Sequence, residues 1–511
     1  MTSRQKLLDS YRELRADYTV ATDSRLTRSL TGYAPMGSGA DYHQRNDFQW
    51  LKRLEAAREV DRNDVVVGQA IRRLVSNVVQ QGVALNPTTG DPELDRALMA
   101  KWNEYCQSPD ECDAARQDTF LTMAKQALRA VLVDGDIFAI LTREGQVQLV
   151  EAHRVRSPKA NDGNTFLGVT MNANREQIAI NVVKDTIDPN AYSYEYDTVR
   201  VPVRTSDGVR QVLHVIDRRR TAQTRGVTVL APVLNTVTQH NDLQFAQLVK
   251  AQVASAFGVL RTFEPGVAVP GTETVMGETE SQTYTSHTGT NEITEIGPGM
   301  EYTGAPGEKL DFFTPNVPNA EFFDHSRLIL TFIAVNLDIP VHVLLLDPSD
   351  TNFSGWRGAI DQARRSWQDM QQLLIDKLYR PVYLWKLGQW RNEDRAIRNV
   401  NPMSLVSHEW NPPYWPYIEP QKDAQGDVTV ITNHLNSRRK VLARRGLDID
   451  EVDREIVSDQ KQLFRLAIEA ADELNGAFGT AQVNWRELVS GVSTPSVINQ
   501  VVDDEESLSE M

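Results

Sequence analysis

Four aspartates stand where carboxylate chemistry is conceivable: Asp134 and Asp136 in DGDIF, and Asp347 and Asp350 in DPSDTNFSGWR. Carboxylates that converge within a few ångströms can hold divalent metals and cleave a phosphodiester, so a metal-dependent DNA hydrolase or nuclease is the enzymatic alternative. Nothing in the spacing requires convergence, however. Asp134-Gly135-Asp136 also has the composition of a helix-to-strand turn, where Asp and Gly serve backbone geometry. Cys106 and Cys112 match no zinc spacing and no His or Cys cluster completes one, so no metal or cofactor is expected. No Walker or dinucleotide-binding glycine pattern falls at a strand-to-helix junction. Positive charge concentrates at Arg218, Arg219 and Arg220, then Arg225, a patch suited to solvent, to an interface or to phosphate.

The elements that position these residues centre on Asp347–Arg380. Its first part, rich in Pro, Ser, Asp, Asn and Gly, reads as a turn. Phe353, Trp356, Ile360, Ala363, Trp367, Met370 and Leu374 then recur at steps of three and four, the signature of one helix face. Arg357, Asp361, Arg365, Gln368 and Gln372 line another face, and Pro381 is expected to stop or kink the helix.

A chain of 511 residues should hold more than one domain. No apolar run approaches the eighteen residues of a membrane span, and the charged N-terminus does not read as a secretory signal. Two cysteines suit a reducing compartment rather than a disulfide framework. The net charge of −15 argues against gripping nucleic acid by neutralising phosphates, yet suits a surface that DNA must pass without sticking.

Residues 1–40 read as an N-terminal arm. Helical patterns follow to about Val131, with Asp61–Asp64 supplying an N-cap and VALNP a short strand. A hairpin, IFAILT and VQLVEA, turns at Arg143–Gly145; further strands run to Ile216, among them VTMN, QIAIN, AYSYEY, VRVPV and QVLHVI. Helices followed by meandering strands indicate α+β rather than a doubly wound sheet. Pro232 opens a long helix reaching Arg261 whose only earlier formal charges are Asp242 and Lys250; a helix so poor in charge packs on several sides, with neighbouring subunits a natural answer. From Thr262 to Glu308 there is neither Lys nor Arg but eight glutamates, Glu278, Glu280, Glu292 and Glu295 among them; this is either a disordered acidic loop or a small β module, and the Gly297-Pro298-Gly299 turn favours the module. A second apolar helix ends at Asp338-Ile339-Pro340, and VHVLLL after it looks strand-like. Tryptophans and tyrosines between Tyr383 and Tyr417 read first as core, then as interface. Lys422–Leu474 reads as two or three helices, and VVDDEESLSEM as an acidic, disordered tail.

An ordered set of motifs resembles the lambda-type phage portal protein family. It comprises Lys101-Trp102 through Asp134-Gly135-Asp136-Ile137-Phe138, then Gln223-Thr224-Arg225-Gly226, then Ile339-Pro340 with Asp350-Thr351-Asn352-Phe353-Ser354-Gly355-Trp356-Arg357, and finally Trp415 through Lys422 with Arg445-Gly446-Leu447-Asp448. Gly355 stands where the family commonly has a second serine, and Ile418-Glu419 replaces a usual Val-Asp. The resemblance implies a non-enzymatic head-tail connector of α+β portal fold. Its parts would be an α/β wing (41–230), a stem helix (231–262), a small β-containing clip (263–318), a second stem helix with a return to the wing (319–345), a tunnel loop and long tunnel helix (346–385), an α-helical crown (386–474) and a tail (475–511). It further implies a homo-oligomeric ring of twelve at one capsid vertex. Double-stranded DNA would pass through it, driven by the terminase large subunit, with neck or adaptor, major capsid and scaffolding proteins as partners and no membrane. Asp350, Thr351, Asn352, Phe353, Ser354, Arg357, Arg364 and Arg365 would face the channel, and Glu278, Glu280, Glu292 and Glu295 would serve docking on the clip. A different head-to-tail adaptor or stopper ring is the other alternative.

Overall fold

The computed structural model describes residues 47–158, 164–184, 197–255, 259–263, 282–286, 289–293, 308–312, 320–415 except 348 and 350, 420–478 except 446 and 448, and 484–489. The expected arm, strand AYSYEY and acidic tail lie outside them. The fold mixes helices with small sheets, and every ladder among the described residues is antiparallel. The chain divides into two compact units.

The first unit holds residues 1–76, 126–140 and 149–370. Helix α1 (Asp47–Asn63) is followed by α2 (Val65–Val79), capped by Asp64, whose Oδ1 accepts from Val66 N at 3.0 Å and Val67 N at 2.8 Å. In the second unit lie β1 (Ala84–Pro87), α3 (Pro92–Gln107) and α4 (Pro109–Cys112). Helix α5 (Phe120–Val133) leads to β2 (Asp136–Leu141) and β3 (Val147–Glu151). Two-residue β4 (Thr165–Phe166), β5 (Val169–Met171), β6 (Gln177–Val183) and β7 (Thr198–Pro202) form one sheet in chain order; β8 (Val212–Ile216) instead joins β2 and β3 in the order β3-β2-β8. Phe138, Val150, Val155, Val169, Ile180, Val182, Val203 and Val212 fill the core of these sheets.

A buried ion pair joins β2 to the segment beyond β8. Arg225 is fully buried and uses all five of its N–H donors. Nε and Nη2 bond Asp136 at 2.8 and 2.9 Å; Nη1 bonds the carbonyls of Val155 and Leu167, and Nη2 also that of Ala152. The guanidinium stacks 4.3 Å from the Trp50 ring centroid and 5.1 Å from Phe138. Asp136 Oδ2 accepts further from Gly226 N at 2.6 Å and His214 Nε2 at 3.1 Å. Burial alone would raise the Asp136 carboxyl, but the Arg225 charge and hydrogen bonds, then His214, hold it well below the ordinary range. Burial pushes His214 the other way, toward neutrality. The neutral ring fits its partners, Nε2–H toward Asp136 and Nδ1 accepting from Gln177 Nε2.

The backbones cross beside this pair. A Cβ on Gly226 would sit 1.9 Å from Gly135 O; one on Gly135, whose φ is +101°, would sit 2.5 Å from Gly226 C. Only glycine fits either position. Arg225 therefore does not belong to the surface cluster with Arg218–Arg220, as its spacing had suggested; the Asp-Gly-Asp and Gln-x-Arg-Gly motifs are two halves of one junction.

Helix α6 is described over Leu234–Ser255, and it does not reach the expected Arg261, because Val259–Phe263 forms strand β9, which pairs with β12 (Glu308–Phe312), outside a β10–β11 hairpin (Gln282–Ser286 and Gly289–Ile293). Helix α7 (Ala320–Asn336) packs back on α6. VHVLLL forms helix α8 (Val341–Leu345), not a strand: Arg73 Nη1 donates to the carbonyls of Val343 and Leu344, a tertiary contact that local β propensity cannot anticipate.

Helix α9 (Phe353–Leu374) continues through a π turn, Ile375–Tyr379, into α10 (Arg380–Glu393). Pro381 neither stops nor breaks the rod. It occupies the first turn of α10, where the missing N–H is tolerated, and the π turn absorbs the register change.

The second unit holds residues 77–125, 141–148 and 371–511. Its core is aromatic: Trp102 lies 5.5–5.9 Å, centroid to centroid, from Tyr105, Phe120, Tyr383 and Trp410. Short helices α11 (Arg395–Arg398) and α12 (Pro402–Leu405) lead to β13 (His408–Asn411), which pairs with β1. Gln371 Nε2 donates to Val78 O and Pro413 O, and Trp415 Nε1 to Asn77 O. Then come α13 (Pro420–Thr432), α14 (Arg438–Arg444), α15 (Ile449–Phe478) and α16 (Trp485–Val489).

Replacing Arg225 with Ala leaves Asp136 charged and buried without its partner. A loss on the order of 3–5 kcal/mol is expected, read as a fall in the midpoint of chemical unfolding. Surface Arg219→Ala should leave that midpoint within about 0.5 kcal/mol.

Candidate functional site

The loop between α8 and α9 is fixed at both ends by backbone geometry. Helix α7 ends where Asp338 adopts a left-handed φ of 51° and Ile339 N bonds Ala334 O. Pro340 starts α8, and Leu346, at φ 55°, ends it. Asp347 N then bonds His342 O, and Asp347 Oδ1 accepts from Ser349 N at 3.0 Å, an Asx turn. The bonds from Ser349 hold the exposed Asp347 carboxyl below its ordinary range.

At the other end Asn352 caps α9: its Oδ1 accepts from Gly355 N at 2.7 Å and its carbonyl from Trp356 N at 3.0 Å. A Cβ on Gly355 would stand 2.9 Å from that Oδ1 and 3.3 Å from Thr351 Oγ1. The glycine found where a second serine is common therefore leaves room for this cap. Ser349, Asn352, Ser354 and Gly355 are exposed and Thr351 is half-buried. Asp350 lies outside the described residues, and the Phe353 backbone opens α9.

The face of α9 read as apolar turns inward: Ile360, Ala363, Trp367 and Leu374 are buried, Trp356 and Met370 half-buried. Asp361, Arg365, Gln368 and Gln372 are exposed, and Arg357 is half-buried on the same stripe. The two neighbouring arginines separate. Arg365 is exposed, whereas Arg364 keeps only 18% of its side chain accessible and leans on Asp361 at 3.4 Å. Ser366 Oγ donates to Asp338 Oδ2 at 3.0 Å, tying α9 to the end of α7.

The remaining candidate carboxylates do not converge. Asp134 is held by Arg58 Nε at 2.7 Å and Arg58 Nη2 at 2.5 Å, and Arg58 reaches on to Glu151 at 3.0 Å. Asp136 is taken by Arg225. Among the described residues no group of three or more His, Cys, Asp or Glu could hold a metal. Cys106 is half-buried and Cys112 buried; burial pushes both thiols up, Cys112 to about 11. Glu278, Glu280 and Glu295 lie outside the described residues, and Glu292 sits on β11 opposite Thr283.

Sequence reasoning passed over how apolar the surface of the α6–α7 hairpin is. Phe245, Leu248 and Val249 on α6 and Phe323, Leu328, Phe332 and Val335 on α7 are exposed, Phe245 and Val335 each at 68%. Seven large apolar side chains on one hairpin exceed the scattered exposure of a monomer and mark a contact surface. The low charge of α6 was the signal available. No helix among the described residues is long and apolar enough to cross a membrane.

Residues 27–371 match the family described as "Phage portal protein, lambda family", and the chain belongs to that family. A relative, the "Probable portal protein" of Halomonas phage phiHAP-1 (isolate from the Gulf of Mexico, 2001), is 22% identical over 481 residues, covering 88% of this chain and 87% of that protein. Among solved structures, a chain in the "Neck of native GTA particle computed with C12 symmetry" aligns at a TM-score of 0.45 and 10% identity, over 77% of this chain and 92% of that one. One in the "Virion of native gene transfer agent (GTA) particle" aligns at 0.42 and 11%, over 77% and 93%.

Substituting Asn352 with Ala removes the side-chain cap and should weaken the first turn of α9 by about 1 kcal/mol. Hydrogen exchange should show faster exchange at Gly355 and Trp356 and unchanged protection near Trp367.

Proposed function

We propose that the chain is the portal of a phage head: copies form a ring, usually of twelve, at one capsid vertex. Double-stranded DNA would pass through its centre, driven by the terminase large subunit, and later be retained and ejected. The ring would sit in the virion, assembled in the host cytoplasm with major capsid and scaffolding proteins and joined by neck or adaptor proteins. The observation that carries this reading is the α6–α7 hairpin. One copy cannot cover its apolar side chains, and in a closed ring each hairpin has a neighbour on either side.

In this assignment 41–230 is the wing, α6 and α7 the stem, 263–318 the clip, 346–385 the tunnel loop and helix, and 386–474 the crown. Clip glutamates Glu278, Glu280, Glu292 and Glu295 would present the docking face for terminase and neck proteins. Thr351, Asn352 and Ser354, with Asp350 and Phe353, would line the tunnel. Arg365 and Arg357 share a stripe that meets either the channel or the next subunit, while the leaning of Arg364 on Asp361 favours a packing role for it. A net charge of −15 per copy keeps the lining from trapping phosphates, so DNA slides.

Placing aspartate at Phe245 and Phe332 together should convert rings to monomers, read by electron microscopy and light scattering of the purified protein. Rings persisting in that variant would remove the hairpin from the interface, and a wild-type protein with no central hole would sink the portal reading. Deleting 349–354 should leave rings intact and abolish DNA packaging or retention in a packaging assay; normal packaging would exclude the loop from the mechanism.

A further inference from the structure

The outer strand of the four-stranded sheet carries positive charge to which the portal assignment gives no role. Val201 and Val203 pack on the sheet core, so alternation puts Arg200, Pro202 and Arg204 on the other side, where all three are exposed. The chain then turns through Thr205–Gly208, and Arg210 comes directly opposite Arg204. A bulge comes next. Gln211 N and Val212 N both donate to Val203 O, which shifts the alternation so that Val212 enters the core while Arg210 stays beside Arg204.

Arg218, just beyond β8, completes the group. Desolvation and then the charges of Arg204 and Arg218 push the Arg210 guanidinium below its ordinary value, so each of the two acts on Arg210. Like charges directly across a strand pair are destabilising. Among the described residues none of Arg200, Arg204, Arg210 or Arg218 forms a salt bridge. Arg204 bonds only Gly208 O, and Arg210 only Val212 O. The face keeps a repulsion that an external anion would relieve.

We propose that Arg200, Arg204, Arg210 and Arg218 form a phosphate-binding face and that its ligand is the backbone of duplex DNA. This deepens the portal reading, which supplies the DNA. Arg200 and Arg204 stand about 13 Å apart along the strand. Duplex DNA presents one charge per about 1.7 Å of axis, so several phosphates fall within that span. Apart from the small Pro202, the exposed apolar residues of this hairpin, Val199 and Val209, lie on the opposite parity from the arginines. A face of guanidiniums without an apolar anchor has the anatomy of backbone contact rather than of a protein interface, whose core is aromatic or aliphatic. The acidity of the rest of the chain makes such contact weak and reversible, which suits DNA that must later leave.

The test compares full-length wild-type protein with two variants, Arg200→Gln/Arg204→Gln/Arg210→Gln/Arg218→Gln and the corresponding four-lysine form. A labelled blunt duplex is titrated by anisotropy between about 50 and 200 mM salt. The wild-type slope of log affinity against log salt should exceed that of the glutamine variant by about 3.6, some 0.9 for each phosphate that the variant no longer neutralises. The lysine form should keep the wild-type slope. Equal slopes in wild type and glutamine variant overturn the proposal. So does a glutamine variant whose oligomer dissociates in salt that the wild type survives, because the arginines would then pair with an acidic protein surface. Electron microscopy of the same samples separates the two readings: wild-type rings with equal slopes sink this face alone, and wild type without rings sinks the portal assignment.

Discussion

The Asp136–Arg225 pair is the constraint on which the first unit depends. A buried guanidinium is tolerable only when every donor and its charge are satisfied, and the structure does both with one carboxylate and three carbonyls from separate segments. Those carbonyls belong to Ala152, Val155 and Leu167, so one side chain fixes the exit from β3, the entry to the second sheet and the start of β2 together. Trp50 closes the site from α1. The mutual fit of Gly135 and Gly226 then removes the freedom to slide: either Cβ would overlap backbone.

The junction also sets the base of the α6–α7 hairpin. Immediately after Gly226, Thr228 Oγ1 and Val229 N donate to Leu132 O at the end of α5, and Thr228 Oγ1 accepts from Leu230 N before α6 begins. The returning helix is tied to the same place, because Asn336 Nδ2 donates to Val229 O at 2.7 Å. Two residues later Asp338 turns the chain toward α8 and takes Ser366 of α9. The hairpin and the loop between α8 and α9 thus leave one hydrogen-bonded base.

Much of this was legible in the residues, and the failures have physical causes. The cap at Asp64, the β2–β3 hairpin and the inward face of α9 follow from local chemistry: a side-chain acceptor before a helix, turn residues between apolar runs, and helical periodicity. VHVLLL and the stop allowed at Pro381 were misread because their outcome is set elsewhere, by Arg73 capping the carbonyls of α8 and by a π turn that carries the helix past the proline. Arg225 was placed with the surface arginines because charge runs in sequence ignore depth. Its real signal was the adjacent glycine: Arg-Gly beside a second glycine-containing acidic motif suggests two backbones in contact. The site itself was legible as a stretch, but a helix pattern could not separate Arg364 from Arg365; their different depths emerge only from packing.

Charge is distributed in a way that fits the proposed role as a conduit. The chain carries 69 acidic against 54 basic side chains, and the contact of Arg225 with Asp136 removes one cation from the surface altogether, while Arg58 is drawn onto the buried Asp134. Outside, positive charge is spread over many elements, with Arg204 and Arg210 brought directly opposite each other beside β7. A uniformly basic surface would hold a polyanion along its whole length, and the release of many counterions would make that grip hard to undo. A uniformly acidic one would exclude it. An acidic background with a few concentrated arginines does neither: each contact is short-ranged, screened beyond about 8 Å at physiological salt, and weak enough to be exchanged. On the portal reading proposed above, affinity would have to stay low along the path and non-zero at the points that hold. The burial of Arg225 would then serve this end as well as stability, since a cation locked to Asp136 is one that passing DNA would not meet.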